Sequence, residues 1–153
     1  IVTESRPTGK GHLMAKLLKE ANIPVELIVD SAVGYVIHKV DKVLVGAEGV
    51  AESGGIINHI GSYQIGCLAK VNHKPFYVMA ELHKFVRLFP LAPDDLPKAL
   101  NLIDVGENLG ELDILTTPLI DFTLHDYITA LITDLGVLTP SAVSEELIKM
   151  WYD

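Results

Sequence analysis

The stretch Val43–Gln64, VLVGAEGVAESGGIINHIGSYQ, decides how the rest of the chain is read. It begins with a short apolar run, Val43-Leu44-Val45, closed by Gly46. A small acidic loop, Ala47-Glu48-Gly49, and a glycine turn, Ser53-Gly54-Gly55, come next. From Ile56-Ile57-Asn58 an apolar-periodic segment runs on towards Lys70, which predicts the order strand, glycine-rich loop, helix. In an open parallel sheet such a loop lies at the carboxyl end of a strand, where ligands bind. Glycines let backbone N–H groups approach an anion, and a helix start adds the positive end of its dipole. Gly54 and Gly55 are therefore candidates for a phosphate cradle, with Asn58 as a side-chain donor. A tight strand-to-helix turn with no ligand fits the same spacing.

Working outward, the flanks continue the alternation. Ile1-Val2-Thr3 reads as the end of a buried strand, and the chain as a piece of something longer. Arg6 to Gly11 forms a turn-rich loop. Leu13, Met14, Leu17, Leu18 and Ala21 then recur at helical spacing, predicting an amphipathic helix over 12–21. Val25 to Val29 is β-rich, Asp30 or Ser31 can cap a helix from Ala32 to about Lys39, and a helix over 59–71 leads to the strand Phe76 to Ala80. Strands alternating with helices over short loops mean an α/β fold with an open, mainly parallel sheet and helices on both faces. The segment 81–118 differs. Pro90, Pro93 and Pro97 break any long element there. Beyond it, Ile120 to Thr123 suits an edge strand, and Ile128 to Thr133 fits strand or helix. Leu138-Thr139-Pro140-Ser141 marks a helix start, with Val143, Leu147, Ile148 and Trp151 on one face of the last helix.

The 153 residues suffice for one domain spanning 1–153 with a sizeable core. Hydrophobic residues make up 49% and the mean hydropathy is +0.34, which excludes a disordered chain. No apolar stretch reaches the roughly 18 residues of a membrane span, so no membrane association is expected. A net charge of -8 without a dense basic cluster argues against nucleic-acid binding. Cys67 is the only cysteine and cannot form an internal disulfide, which fits a reducing compartment.

Several side chains could carry chemistry. Glu48, just beyond a strand end, stands where a general base would; a plain surface carboxylate reads as well. Arg6 and Lys10 in the first loop could face the same mouth as Gly54 and reach a phosphate, or form a solvated basic loop. Of the six histidines no pair has the i, i+4 spacing of a helical metal site, so no metal is expected. His59 stands out because it follows Asn58 at the expected helix start. Cys67, on a helix among apolar neighbours, reads as an inert thiol. Phe85-Val86-Arg87-Leu88-Phe89 is aromatic and close to proline; it suits a core, but an exposed partner surface is preferred, with Phe85, Arg87 and Phe89 in contact. Trp151 and Tyr152 are read in the same way.

The motifs VGAEGVAESGGIINHIGSYQ, KPFYVMAELHKFVRLFPL and TDLGVLTPSAVSEELIKMWY resemble the regulatory subunits of eukaryotic translation initiation factor 2B, the alpha type in particular. That family is similar to the methylthioribose-1-phosphate and ribose-1,5-bisphosphate isomerases. The resemblance implies a Rossmann-like carboxyl-terminal domain, preceded in the full protein by a helical domain. It further implies a cytosolic regulatory subunit that forms a homodimer, assembles with the beta and delta subunits of a guanine-nucleotide exchange factor, and responds to phosphorylated initiation factor 2. An isomerase of aldose 1-phosphates is the alternative. Against it, the isomerases' Gly-Ala-Asp appears as Gly46-Ala47-Glu48, their Asn-Lys as Asn58-His59, and a Gln-Gly as Lys10-Gly11. Their catalytic cysteine lies upstream, and Cys67 does not match it. The resemblance thus implies no catalysis and no cofactor, with a sugar-phosphate or nucleotide pocket retained around Arg6, Lys10, Glu48, Gly54, Gly55, Asn58 and His59.

Overall fold

The computed structural model of the chain describes residues 1–87, 100–102 and 116–152. Its larger parallel sheet is built from β3 (Val43–Gly46), β6 (Phe76–Met79) and β11 (Ala130–Thr133), with β12 (Gly136–Leu138) antiparallel at one edge. Val43 pairs with Phe76 and Val45 with Val78, so these four side chains share one face. Successive strand residues point to opposite faces, and this face is the buried one. It packs on α3 (Ser62–Val71) through Ala69 and on α4 (Pro140–Tyr152) through Val143 and Leu147. Phe76, Val78, Leu131, Val143 and Leu147 lose nearly all contact with water. Each such side chain contributes about 1.5–3 kcal/mol by burial. Together with the helices, this parallel sheet gives a Rossmann-like α/β fold.

A second sheet lies across the core. Its order is β10 (Ile120–Thr123), β5 (Ile56–His59), β4 (Gly49–Ala51) and β7 (Phe85–Val86), antiparallel except where β4 meets β7. Here the expected helix from Ile56 is corrected. Ile56 and Ile57 are both buried, on opposite faces of a strand held between β4 and β10, and the helix begins only at Ser62. Two β-branched residues buried on both sides satisfy a central strand, and pairing on both edges meets every backbone group. The glycine turn therefore joins β4 to β5. Gly54 has φ +83°, a left-handed value that favours glycine, and a Cβ there would fall 2.7 Å from Pro140. A Cβ on Gly55 would fall 2.9 Å from the Thr123 carbonyl oxygen. These glycines let the turn press against α4 and β10. They do not open towards an anion.

The amino-terminal part stands apart. There β1 (Val2–Thr3) pairs in parallel, among the described residues, with β2 (Leu27–Ile28) alone, and α1 (Lys10–Glu20) follows β1. Helical turns occupy 30–39, with α2 (Val33–Val36) at their centre. The stripe Leu13, Met14 and Leu17 of α1 is exposed, contrary to its amphipathic reading; the helix buries only Gly11. Elsewhere, β8 (Leu100–Leu102) and β9 (Thr116–Pro118) form an antiparallel pair, and Ile128 to Thr133 resolves as the strand β11.

One expectation about partner contacts changes. Phe85 is 5% exposed and belongs to the core, so it is not a surface anchor. Its partner strand β4 carries Val50 against it, and pairing seals the ring from solvent. Arg87 is exposed. Phe89 and the side chains of Trp151 and Tyr152 lie outside the described residues. Ile148 is exposed, so among the described side chains the buried stripe of α4 consists of Val143 and Leu147.

Candidate functional site

A cleft of 280 Å³ opens where the carboxyl ends of β1 and β3 meet the start of α3. Lys10, Gly46, Asn58, His59, Gly61 and Ser62 are among its lining residues. Each polar group reaches it for a local reason. Lys10 is the first residue of α1, held at the mouth because the loop before it is latched. The backbone N–H groups of Ser5 and Arg6 donate to the Asp30 carboxylate at 2.9 and 2.7 Å. Asp30 sits just past β2, so one carboxylate ties the loop after β1 to the strand beside it.

His59 closes β5 and lies between two charged neighbours. Lys10 Nζ is 3.1 Å from His59 Nε2, and Glu48 Oε1 is 3.3 Å from the same nitrogen. One ring nitrogen cannot serve both. Accepting from Lys10 needs a lone pair on Nε2, whereas donating to Glu48 needs a proton there. The ring state therefore decides which neighbour is bonded, and an anion that engaged Lys10 would free His59 for Glu48. Asn58 donates through Nδ2 to Ser62 Oγ at 2.9 Å, and Ser62 Oγ donates to the His59 carbonyl at 2.8 Å. These bonds fix the bend between β5 and α3.

The amino terminus of α3 is already occupied by protein. Asp121 Oδ2 accepts from Gly61 N–H at 2.7 Å and from Tyr63 N–H at 3.1 Å. A carboxylate at this end satisfies orphan donors and meets the positive dipole end. Asp121 faces Asn58 in the β10–β5 pairing and is 8% exposed, while its Oδ1 has no hydrogen-bond partner. Burial raises the Asp121 pKa above its usual 3.8, and the backbone N–H groups of Tyr63, Gly61 and Ser62 oppose that rise. The helix start is thus a filled anion site, with the anion supplied in the chain.

Of the residues singled out in the sequence, Lys10, Glu48, Asn58 and His59 come together at this mouth. Gly54 and Gly55 do not; they face Pro140 and Phe122. Arg6 turns to Glu4, with Nε 3.3 Å from Oε2. Asp30 and Asp121 were missed. For Asp121 the signal was a lone carboxylate in the apolar strand Ile-Asp-Phe-Thr, since a buried acid demands donors. Among the described residues no group of three His, Cys, Asp or Glu could hold a metal.

A model described as the initiation factor 2 subunit family matches residues 1–140. This chain belongs to that family. The Dictyostelium discoideum protein named translation initiation factor eIF2B subunit alpha is 51% identical over 99% of the chain and 50% of its own length. The Archaeoglobus fulgidus ribose 1,5-bisphosphate isomerase is 42% identical over 92% of the chain and 45% of its length. The crystal structure described as translation initiation factor eIF-2B, subunit delta, from A. fulgidus superposes with a TM-score of 0.82 at 32% identity, covering 99% of this chain and 46% of that one. The chain therefore spans about half the length of these family members.

Proposed function

We propose that the chain forms part of a regulatory subunit of the guanine-nucleotide exchange factor for translation initiation factor 2. In this reading it works in the cytosol. It forms a homodimer, meets beta and delta subunits, and helps the complex answer phosphorylation of its substrate. The observation that carries the reading is the 51% identity to the Dictyostelium alpha subunit across 99% of the chain. A chimera with this chain in place of the matched half of that subunit is expected to co-purify with the other subunits as a dimer. It should also restore inhibition of exchange by phosphorylated substrate. A chimera that folds but assembles with none of them overturns the reading.

The cleft at Lys10, Asn58 and His59 is proposed to hold the phosphate of a sugar phosphate or nucleotide, with Lys10 as the charged donor. Gly54 and Gly55 have no part in it, since they pack against Pro140 and Phe122. Isothermal titration of the chimera with ribose 5-phosphate is the direct test. Lys10→Ala is expected to weaken binding about tenfold, equal to about 1.4 kcal/mol. Unchanged affinity in that variant removes the pocket from the proposal.

One observation favours isomerase chemistry as a second reading. Glu48 and Lys10 both lie within reach of His59 Nε2, and the A. fulgidus isomerase is 42% identical. Turnover of ribose 1,5-bisphosphate by a chimera in that isomerase, lost in Glu48→Gln, would support it. We favour binding without turnover.

A further inference from the structure

Asn58 reaches the cleft with one end of its amide. Its Nδ2 donates to Ser62 Oγ at 2.9 Å, and Ser62 Oγ donates in turn to the His59 carbonyl at 2.8 Å. Both residues are buried, Asn58 at 9% exposure and Ser62 at 5%, which keeps bulk water from replacing either bond. The order of the two bonds follows from counting protons. A serine hydroxyl has a single proton, whereas an amide donates from nitrogen and accepts at oxygen. With the Ser62 proton committed to the His59 carbonyl, Ser62 Oγ can only accept, and the amide end that meets it must be Nδ2. Turning the amide over would place Oδ1 against Ser62 Oγ. The serine proton would then serve Oδ1 and abandon the carbonyl, leaving one bond in place of two.

The position of Ser62 has a local origin. It is the first residue of α3, and a short hydroxyl side chain at a helix start bonds readily to a nearby backbone carbonyl, here three residues earlier. At the other end of the amide, Asn58 Oδ1 takes no partner among the described residues and is not one of the buried oxygens left without one. Asn58 lines the cleft, so Oδ1 opens into it. We propose that Ser62 is a positioning residue: it holds the Asn58 amide so that an acceptor faces the ligand, and the ligand must bring a hydroxyl to Asn58. This deepens the pocket reading given above and rests on it. A phosphate dianion offers oxygens alone, which Oδ1 repels, so the phosphate itself lies at Lys10. A sugar hydroxyl supplies the proton that Oδ1 lacks. The ligand class narrows to a phosphate carried on a polyol, because inorganic phosphate leaves Asn58 unmatched. Asn58, a phosphate donor in the sequence reading, takes the sugar instead.

Isothermal titration of the chimera with the Dictyostelium subunit compares ribose 5-phosphate with its 1-deoxy, 2-deoxy and 3-deoxy forms, each short of one hydroxyl. In the parent chimera one of the three is expected to bind about tenfold more weakly than ribose 5-phosphate, the size of one hydrogen bond. Ser62→Ala lets the amide turn, and the ratio should fall below about threefold, while Ser62→Thr keeps a hydroxyl and should retain it. Damage to the fold weakens all four ligands together and leaves the ratio alone, so the ratio separates positioning from support. Equal affinity for all four in the parent overturns the hydroxyl contact and leaves the pocket standing. A ratio unchanged in Ser62→Ala overturns the role of Ser62. Binding of none of the four removes the pocket reading, and the hydroxyl contact with it. The orientation of the amide is read with neither ligand nor variant. In a chimera carrying isotope-labelled asparagine, the side-chain NH2 protons of Asn58 are expected to show nuclear Overhauser contacts with the β protons of Ser62. Their absence overturns the orientation, whatever the cleft binds.

Discussion

At His59 a single ring nitrogen lies within reach of a lysine and a carboxylate and can serve only one of them at a time. His59→Ala removes both contacts and is expected to weaken ribose 5-phosphate binding measured by calorimetry; unchanged affinity would show that His59 does not shape the mouth. Asp121 is a carboxylate whose burial favours the protonated form. Its raised pKa means that the folded chain holds this proton more tightly than the unfolded chain does. The stability it contributes is full below pH 3.8, the unfolded reference, and is lost as pH rises through the raised folded value. Asp121→Asn, neutral throughout, removes that slope. Relative to the parent protein, the variant should gain stability with rising pH across this acid window and then hold a constant gap. Urea midpoints measured from pH 3 to 7 give the comparison. A gap that is flat from the acid end would mean that Asp121 titrates near its ordinary value. Asp121→Ala also strips the acceptor from Gly61 and Tyr63, and a lost cap costs about 1–2 kcal/mol.

Among the elements, the β4–β5 turn and the start of α1 show how position decides the role of a residue. Gly55 looks like a phosphate loop in the sequence, yet it faces the Phe122 ring and the Thr123 carbonyl. Gly55→Ala is expected to destabilise the chain by about 1–3 kcal/mol through overpacking, measured by chemical denaturation. Ligand affinity should stay unchanged, which distinguishes a packing glycine from a cradle. At α1, Asp30 holds the loop that presents Lys10. Asp30→Ala removes two charge-assisted bonds from backbone donors at a partly exposed site, and a loss of about 1–3 kcal/mol is expected. That variant should weaken ribose 5-phosphate binding without touching the mouth itself, because Lys10 loses its fixed origin. Affinity equal to that of the parent would detach the latch from the site. The helical reading of the segment from Ile56 failed for a related reason. Ile56-Ile57 fits both periods, and only neighbours on both edges, β4 and β10, turn it into a strand.

At the scale of the whole molecule, the larger sheet is covered on one face and, among the described residues, bare on the other. Leu44, Met79, Ile132 and Val137 alternate with the core residues and remain exposed, Val137 by 71%. A contiguous apolar face of this kind marks an interaction surface. The chain alone is therefore expected to self-associate at tens of micromolar, and Val137→Glu with Met79→Glu should restore a monomer in sedimentation. Each of these surface changes should alter stability by no more than about 0.5 kcal/mol. A parent chain that is monomeric under the same conditions would count against the patch as an interface. The sequence by itself determined the strand–helix alternation, the parallel strands Val43–Gly46 and Phe76–Met79 and the start of α4 at Pro140. Those features follow from local periodicity, from caps, and from the rule that parallel strand ends share one side. Only the tertiary structure decided that Gly54 and Gly55 pack against α4 and β10, that Phe85 is core, and that Asp121 fills the helix terminus. Each of these depends on which residues distant in sequence meet, and Asp121 lies 60 residues from Gly61. No local pattern encodes such a meeting. It is fixed by the burial that the whole chain gains when its sheets close on a common core.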